Sequence, residues 1–236
     1  NVTLSGETID YGPCSFMDYY NPKTVFSSID HQGRYSFQNQ EIICHWNLSR
    51  FAETLIPLLA NNEDKAIEIG TEIINQFSEN FKEKWLNMMR RKLGFIDELP
   101  EDESFIRKLL FWMEENRADY TNTFLYLMNY DLISDSNYQK NSFKEIHNNW
   151  KKRIDKNNKS KHIVNDLMKS NNPFIIPRNH VVEKALNEAC QNNDFNYFNN
   201  LLKLLKNPYE EKKIIDEYIK PSSDEFLNNY RTFCGT

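Results

Sequence analysis

One long stretch of helical periodicity, at residues 62–94, constrains the fold most strongly. Apolar side chains recur there at steps of three and four residues, which places them on one face of an α-helix that has to be buried. Asn62 or Asn61 is suited to cap the start of this helix, and Gly94 is suited to end it. The apolar face is formed by Ala66, Gly70, Ile73, Ile74, Phe77, Phe81, Trp85, Met88 and Met89.

Helical periodicity recurs along most of the remaining chain, so the sequence predicts a mainly α fold. The Lys-rich run at 151–161 is expected to be a solvated helix end and loop. No residue pattern repeats at a fixed period of roughly 30 to 45 residues, which argues against a repeat solenoid. Further helices are expected at residues 41–59, interrupted by Pro57, at 102–116, at 119–130, after an extended connector at 171–180, and from Asp194 to Asn207-Pro208.

Charge and composition are those of an ordinary globular protein. The formal net charge is -5 and the sequence pI is about 5.6, the opposite of the basic surface that nucleic-acid binding requires. No run approaches the roughly 20 apolar residues of a membrane span. Neither nucleic acid nor a membrane is therefore expected as a partner.

The four cysteines stand at positions 14, 44, 190 and 234 and include no CxxC pair. This wide spacing fits reduced intracellular thiols better than a disulfide scaffold or a zinc site. Cys44 and His45 are neighbours, but adjacent residues of a helix point about 100° apart, so a metal site is not expected there.

The first ten residues are compatible with a β-hairpin that holds a metal ion. If Ser5 and Gly6 form a two-residue turn, Leu4 lies opposite Glu7 and antiparallel pairing continues to the ends. Asn1 then lies opposite Asp10, and an amide oxygen and a carboxylate share the polar face. Hard oxygen ligands of this kind suit Mg²⁺. The same spacing is also compatible with an ordinary turn that binds nothing.

Several longer blocks follow one another along the chain. They are Asp10-Tyr-Gly-Pro13, Ser27-Ser-Ile-Asp-His-Gln-Gly-Arg-Tyr35, Asn39-Gln40, Trp46-Asn-Leu48, Asn172-Pro-Phe-Ile-Ile-Pro-Arg-Asn179 and Thr232-Phe-Cys-Gly-Thr236. Together these blocks resemble the selenoprotein O family over essentially the whole chain. The resemblance implies a protein-kinase-like fold, of which this chain would form the C-terminal helical lobe with a short N-terminal β-hairpin. It also implies transfer of AMP from ATP to Ser, Thr or Tyr hydroxyls of proteins.

Within this resemblance, Asn1 and Asp10 match the family's two metal ligands, and Asp10 also belongs to its ATP-binding site. Mg²⁺ together with ATP would be the cofactor. The family's general base, an Asp, would immediately precede Asn1, and its glycine-rich loop and phosphate-binding side chains lie further upstream. The six glycines of this chain offer little room for such a loop.

We therefore expect the chain to be the C-terminal half of a longer protein, with no activity of its own. Its expected partners are ATP, protein substrates and the missing N-terminal half, which should leave an uncovered apolar seam. The expected location is cytoplasmic in a bacterium and mitochondrial in a eukaryote. A non-catalytic helical protein-interaction module is the alternative.

The resemblance divides the chain into a metal-binding hairpin with an activation segment at 1–40 and a helical lobe at 41–236, within one continuous domain. The second half of the activation segment would meet the acceptor protein or lock the segment to the lobe. In the structural reading, Arg34 pairs with a carboxylate and Tyr35 packs. Arg178 and Asn179 are interpreted as anchors of the helical lobe. The candidate residues of the segment are His31, Gln32, Gly33, Arg34 and Tyr35.

Cys234 corresponds to the place where some members of the family carry selenocysteine. In the family, this residue can pair with a cysteine of the activation segment, which would link redox state to activity. Here the usual partner position holds Phe26, and the segment's cysteine is Cys14. A bridge between Cys14 and Cys234 would require Cα atoms within about 7 Å, and an exposed terminal thiol is the alternative.

Overall fold

The computed structural model describes residues 3–7, 15–128, 135–211 and 216–232, and most of these residues are helical. An isolated β-bridge between Tyr19 and Asp119 is the β-structure found among them. The prediction of a mainly α fold is confirmed. The α-helices are α1 (Gln40–Leu59), α2 (Glu63–Asn75), α3 (Phe77–Lys92), α4 (Asp102–Glu115), α5 (Tyr120–Leu127), α6 (Asn141–Asp155), α7 (Lys161–Asn171), α8 (Asn179–Asn192), α9 (Asn196–Leu205), α10 (Asp216–Ile219) and α11 (Asp224–Asn229), with 3₁₀ helices at Phe37–Asn39 and Ser136–Gln139.

The chain divides into two compact units, and the division falls within α3. Unit one comprises Asn1–Cys14, Pro22–Asn87 and Thr232–Thr236, and unit two comprises Ser15–Asn21 and Met88–Arg231. Across the part of the chain that the structure describes, no helix is both long and apolar enough to cross a membrane.

Residues 62–94 form two helices, α2 and α3, instead of the single predicted helix. Asn62 caps α2 as expected, because its side chain accepts a hydrogen bond of 2.8 Å from the backbone N–H of Lys65. The helices separate at Gln76, whose backbone N–H bonds to the carbonyls of Ile73 and Ile74. This bonding tightens the last turn of α2 and ends it.

Gly94 follows the end of α3, as predicted, and its position tolerates no side chain. Its φ of +74° lies in the left-handed region. The backbone N–H of Phe95 reaches the carbonyl of Arg90 at 2.8 Å and closes the helix end. A Cβ atom on Gly94 would lie 2.8 Å from Cγ1 of Val164 and 3.0 Å from atoms of Met168. Glycine is therefore required both by the backbone and by the close approach of α7.

We expect Gly94→Ala to lower the free energy of unfolding by about 2–4 kcal/mol, since backbone strain and overpacking add. Urea denaturation monitored by tryptophan fluorescence measures the change. Gly70→Ala is the matched control, because that glycine is helical and its Cβ would make an ordinary 3.5 Å contact with Leu59. The control should be neutral or slightly stabilising. Equal effects of the two substitutions would contradict the packing argument.

The Lys-rich run forms the end of α6 and the following loop, as predicted, except that Arg153 is buried. Its Nε donates to Oδ1 of Asp102 at 2.6 Å, and Arg90 donates to the other carboxylate oxygen at 3.0 Å. Burial would raise the pKa of Asp102, but hydrogen bonds led by that of Arg153 outweigh burial and lower it. The network ties α3, α4 and α6 together within unit two.

Candidate functional site

The two predicted metal ligands, Asn1 and Asp10, lie outside the described residues, and so do Cys14 and Cys234. Their roles therefore stay predictions. Among the residues that the structure does describe, no three His, Cys, Asp or Glu side chains are grouped to hold a metal ion.

The described part of the N-terminal segment is a turn centred on Leu4 and Ser5. The backbone N–H of Gly6 donates to the carbonyl of Thr3 at 3.2 Å, and Gly6 has a φ of +69°. The hydroxyl of Thr3 donates to the carbonyl of Glu7 at 2.7 Å. The predicted turn at Ser5 and Gly6 is thus displaced by one residue, and Gly6 follows the turn in the left-handed region.

A buried arginine holds the segment at residues 15–21. Arg178 lies directly before α8 with 1% of its surface exposed. Its Nη1 donates to the carboxylate of Asp18 and, at 2.7 Å, to that of Asp119. Its Nη2 donates to Oδ1 of Asn122 at 3.2 Å. Arg178 therefore connects this segment to the start of α5 and the start of α8.

The next residue, Asn179, bonds to the backbone of the same segment. Its Oδ1 accepts from the N–H of Phe16 at 2.9 Å, and its Nδ2 donates to the carbonyl of Phe16 at 2.8 Å. The backbone N–H of Tyr120 donates to the carbonyl of Asp18 at 2.8 Å. These contacts agree with the interpretation of Arg178 and Asn179 as anchors, and they reveal what is anchored.

The anchor places two carboxylates around one guanidinium. Burial raises the pKa of Asp119, and the charge of Arg178 opposes that shift. Burial would lower the pKa of Arg178, but the two carboxylates raise it, so the guanidinium stays charged. Backbone N–H groups supply further donors: Ser222 donates to Asp18 and Asn122 donates to Asp119, each at 2.7 Å. The excess negative charge is thereby solvated by the protein.

Residues 29–36 form a tight turn organised by Asp30. One carboxylate oxygen of Asp30 accepts from the backbone N–H of Arg34 at 2.9 Å, and the other accepts from that of Tyr35 at 2.8 Å. Gly33 has a φ of +64°, and its carbonyl accepts from Nδ2 of Asn39 at 2.8 Å. The carboxylate thus caps the turn's own backbone and fixes its shape.

Four side chains of this turn, those of residues 31, 32, 34 and 35, face solvent. His31 and Gln32 are exposed, and Tyr35 is 42% exposed. The guanidinium carbon of Arg34 lies 4.5 Å from the ring centroid of Trp46, a cation–π contact. This arrangement differs from the predicted pairing of the Arg34 side chain with a carboxylate, since Asp30 binds the backbone of Arg34 instead.

Thr232 is hydrogen-bonded to Phe26 and Ser28. Its carbonyl accepts from the N–H of Ser28 at 2.7 Å, and its hydroxyl donates to the carbonyl of Phe26 at 2.7 Å. Phe26 occupies the position where the resemblance places a partner cysteine. Thr232 therefore lies beside that position, two residues before Cys234.

A polar cleft of about 710 Å³ lies next to the arginine anchor in unit two. Its side chains bond mainly to one another. Arg117 pairs with Asp224 at 2.5 Å, and Asp135 accepts from the backbone N–H of Asn137 at 2.8 Å. These pairings satisfy the polar groups without a ligand, so the cleft is a weaker candidate site than the turn at residues 29–36.

Comparison with protein families matches residues 1–206 to the family described as "Protein adenylyltransferase SelO". The chain is 51% identical to "Protein nucleotidyltransferase YdiU" of Pelagibacter ubique, and 47% identical to the proteins of that name from Nitrosococcus oceani and Alkaliphilus metalliredigens. Each comparison covers 100% of this chain and 48% of the relative. The chain thus spans about half the length of the curated relatives it matches.

The matched residues include the N-terminal turn, the turn at residues 29–36 and the Arg178 anchor. Identity of 51% over the whole chain is far more than a likeness confined to short motifs. The chain therefore belongs to the family described as protein adenylyltransferase SelO.

Proposed function

We propose that this chain is the C-terminal, metal-binding and activation-segment part of a magnesium-dependent protein adenylyltransferase. The observation that carries the proposal is the family match over residues 1–206. In the reaction, the oxygen of a Ser, Thr or Tyr hydroxyl of an acceptor protein bonds to the α-phosphorus of ATP. Pyrophosphate leaves, and the hydroxyl proton passes to a base.

Asn1 and Asp10 are the proposed ligands of Mg²⁺. Because Mg²⁺ would bind together with ATP, Asp10 is also proposed as part of the ATP-binding site. The donor set supports this assignment, because an amide oxygen and a carboxylate are hard ligands. Bound Mg²⁺ would neutralise charge on the phosphates. The base is expected directly before Asn1 in the longer polypeptide.

Residues 11–40 are proposed as the activation segment, of which the structure describes residues 15–40. Two separate observations support this: in unit two, Arg178 binds Asp18, and in unit one, Asp30 caps the turn at residues 29–36. The exposed side chains of His31, Gln32 and Tyr35 would contact the acceptor protein. Gly33 would shape the turn through its positive φ, and Arg34 would position Trp46 beside it.

A redox role for Cys234, with Cys14 as its partner, stays part of the proposal. The support concerns Cys234: three hydrogen bonds join Thr232, two residues before it, to Phe26 and Ser28. Cytoplasmic location is proposed on the strength of relatives from Pelagibacter and Nitrosococcus.

A chimera tests the proposed function. In it, this chain replaces the matching 48% of the Pelagibacter ubique relative, which keeps the rest of its own sequence. We expect the chimera to transfer label from the α-phosphate of ATP to protein when Mg²⁺ is present. The 236-residue chain alone should transfer none, because catalysis also needs the phosphate clamp and the base.

The native relative serves as the positive control, and monodisperse elution with a cooperative melt serves as the folding control. Transfer by the native relative but not by a folded chimera would contradict the proposal. That result would favour the alternative, a non-catalytic helical protein-interaction module.

A further inference from the structure

Helix α1 has more apolar surface than unit one covers. It is the longest helix among the described residues, yet Ile43 is its one buried residue. At 100° per residue, apolar side chains occupy more than half of its circumference. A helix of that kind belongs in the interior of a larger protein.

One part of this apolar surface already has a partner. Ala52 and Ile56 of α1 line a groove of about 590 Å³ together with Ile67 and Ile74 of α2. Leu59 also reaches α2, since its Cδ1 lies 3.5 Å from where a Cβ on Gly70 would be. The face of α1 that is centred on Ala52 and Ile56 is therefore the face that packs against α2.

A second apolar stripe lies beside that face, with members spaced at i, i+4, i+7, i+11 and i+14. It extends roughly 21 Å along α1 and contains no charged residue. Phe51 is 37% exposed and Leu58 is 80% exposed, and the other members are partly exposed. We name it the α1 stripe: Cys44, Leu48, Phe51, Leu55 and Leu58.

We propose that the α1 stripe is the docking surface for the part of the intact polypeptide that lies outside this chain, and that an apolar helix face of that part covers it. The relatives are about twice as long as this chain, which matches 48% of their length. A straight stripe with helical spacing is complementary to another helix. The proposal rests on family membership and on the stripe, not on adenylyl transfer, so failure of the activity test leaves it standing.

Cysteine labelling tests the proposal, because the stripe carries Cys44 and α8 carries the exposed Cys190 as an internal control. With Cys14 and Cys234 replaced by serine, a maleimide probe is applied to the isolated chain and to the Pelagibacter chimera. We expect Cys44 to react at least about tenfold more slowly in the chimera, with the rate of Cys190 unchanged. Equal rates for Cys44 in both proteins would overturn the proposal.

A charge introduced into the stripe gives a second, independent readout. Leu58→Glu should leave the melting temperature of the isolated chain unchanged, because that side chain is 80% exposed there. In the chimera it should lower the melting temperature by about 5 °C or more, because the new carboxylate would be buried without a partner. Asn80→Glu on α3, an exposed polar position, is the matched control and should change neither protein.

Sedimentation of the isolated chain distinguishes two explanations of the α1 stripe: docking of the rest of the polypeptide, and self-association of the chain. A monomer at micromolar concentration supports the proposal. The proposal would be overturned by two results together: the isolated chain forms a stable dimer that Leu58→Glu dissociates, and Leu58→Glu leaves the melting temperature of the chimera unchanged. The stripe would then be a self-association surface.

Discussion

Asp10→Ala in the Pelagibacter chimera is expected to reduce AMP transfer by about 10²–10³-fold. Removing one electrostatic group that acts on the developing charge of a transition state typically has an effect of this size. Asp10→Asn keeps one oxygen ligand but loses the negative charge, so it should retain more activity and require a higher Mg²⁺ concentration. Initial rates of α-phosphate label transfer over a Mg²⁺ series measure both effects.

Glu7→Gln is the matched control for this experiment, because Glu7 is an exposed carboxylate close to Asp10 in sequence. It should transfer AMP at the unmodified rate. If Asp10→Ala also transferred at that rate while the chimera stayed folded, the N-terminal segment would be structural. The proposed ligand set of Asn1 and Asp10 would then be wrong.

Arg178→Met is expected to lower the free energy of unfolding by about 3–5 kcal/mol, because it leaves buried carboxylates without their cation. Asp18 and Asp119 both lie against the guanidinium and are 4% and 2% exposed. Arg117→Met is the matched control, since its ion pair with Asp224 is on the surface. That control should change the free energy by about 1 kcal/mol or less. Urea denaturation of the isolated chain measures both variants.

The loss of stability caused by Arg178→Met should become smaller as the pH falls. Burial already raises the pKa of Asp119 with the guanidinium in place, and removal of Arg178 takes away the opposing charge. When the pKa of Asp119 is higher in the folded state than in the unfolded state, the folded state binds more protons at any pH between the two values. Stability therefore falls as the pH rises through that range. The deficit of the variant should therefore shrink as pH falls from about 7 towards about 5. A deficit that is constant across this range would contradict the buried-charge explanation.

Local signals in the sequence predicted much of the helical fold. The cap at Asn62 and the helix end at Gly94 were predictable because both effects are local. The side-chain oxygen of Asn62 binds a backbone N–H three residues later, and Gly94 can adopt a positive φ because it has no Cβ. The separation of α2 from α3 was not predictable. The spacing of apolar residues continues through Gln76, so it does not indicate the altered hydrogen bonding there. Arg153 was assigned to solvent with its Lys-rich neighbours, since its partner Asp102 is 51 residues away in sequence.

In the candidate site, too, the role of a residue was predictable, but its partners far away in sequence were not. The family resemblance implied that Arg178 and Asn179 are anchors, and the contacts of Arg178 agree with that interpretation. Its carboxylate partners could not be chosen from 34 Asp and Glu residues, because Asp18 is 160 residues distant in sequence. The cation–π contact between Arg34 and Trp46 was missed for a related reason, since the turn that aims Arg34 is set by the side chain of Asp30.

The measurement that tests the central claim most directly compares two positions of the radiolabel in ATP. The folded chimera is incubated with Mg²⁺ and an acceptor protein, in one case with label at the α-phosphate and in the other with label at the γ-phosphate. Adenylyl transfer predicts protein labelled from the α-position alone, because the γ-phosphate leaves within pyrophosphate. Labelling from the γ-position would show phosphoryl transfer instead and would contradict the proposed function.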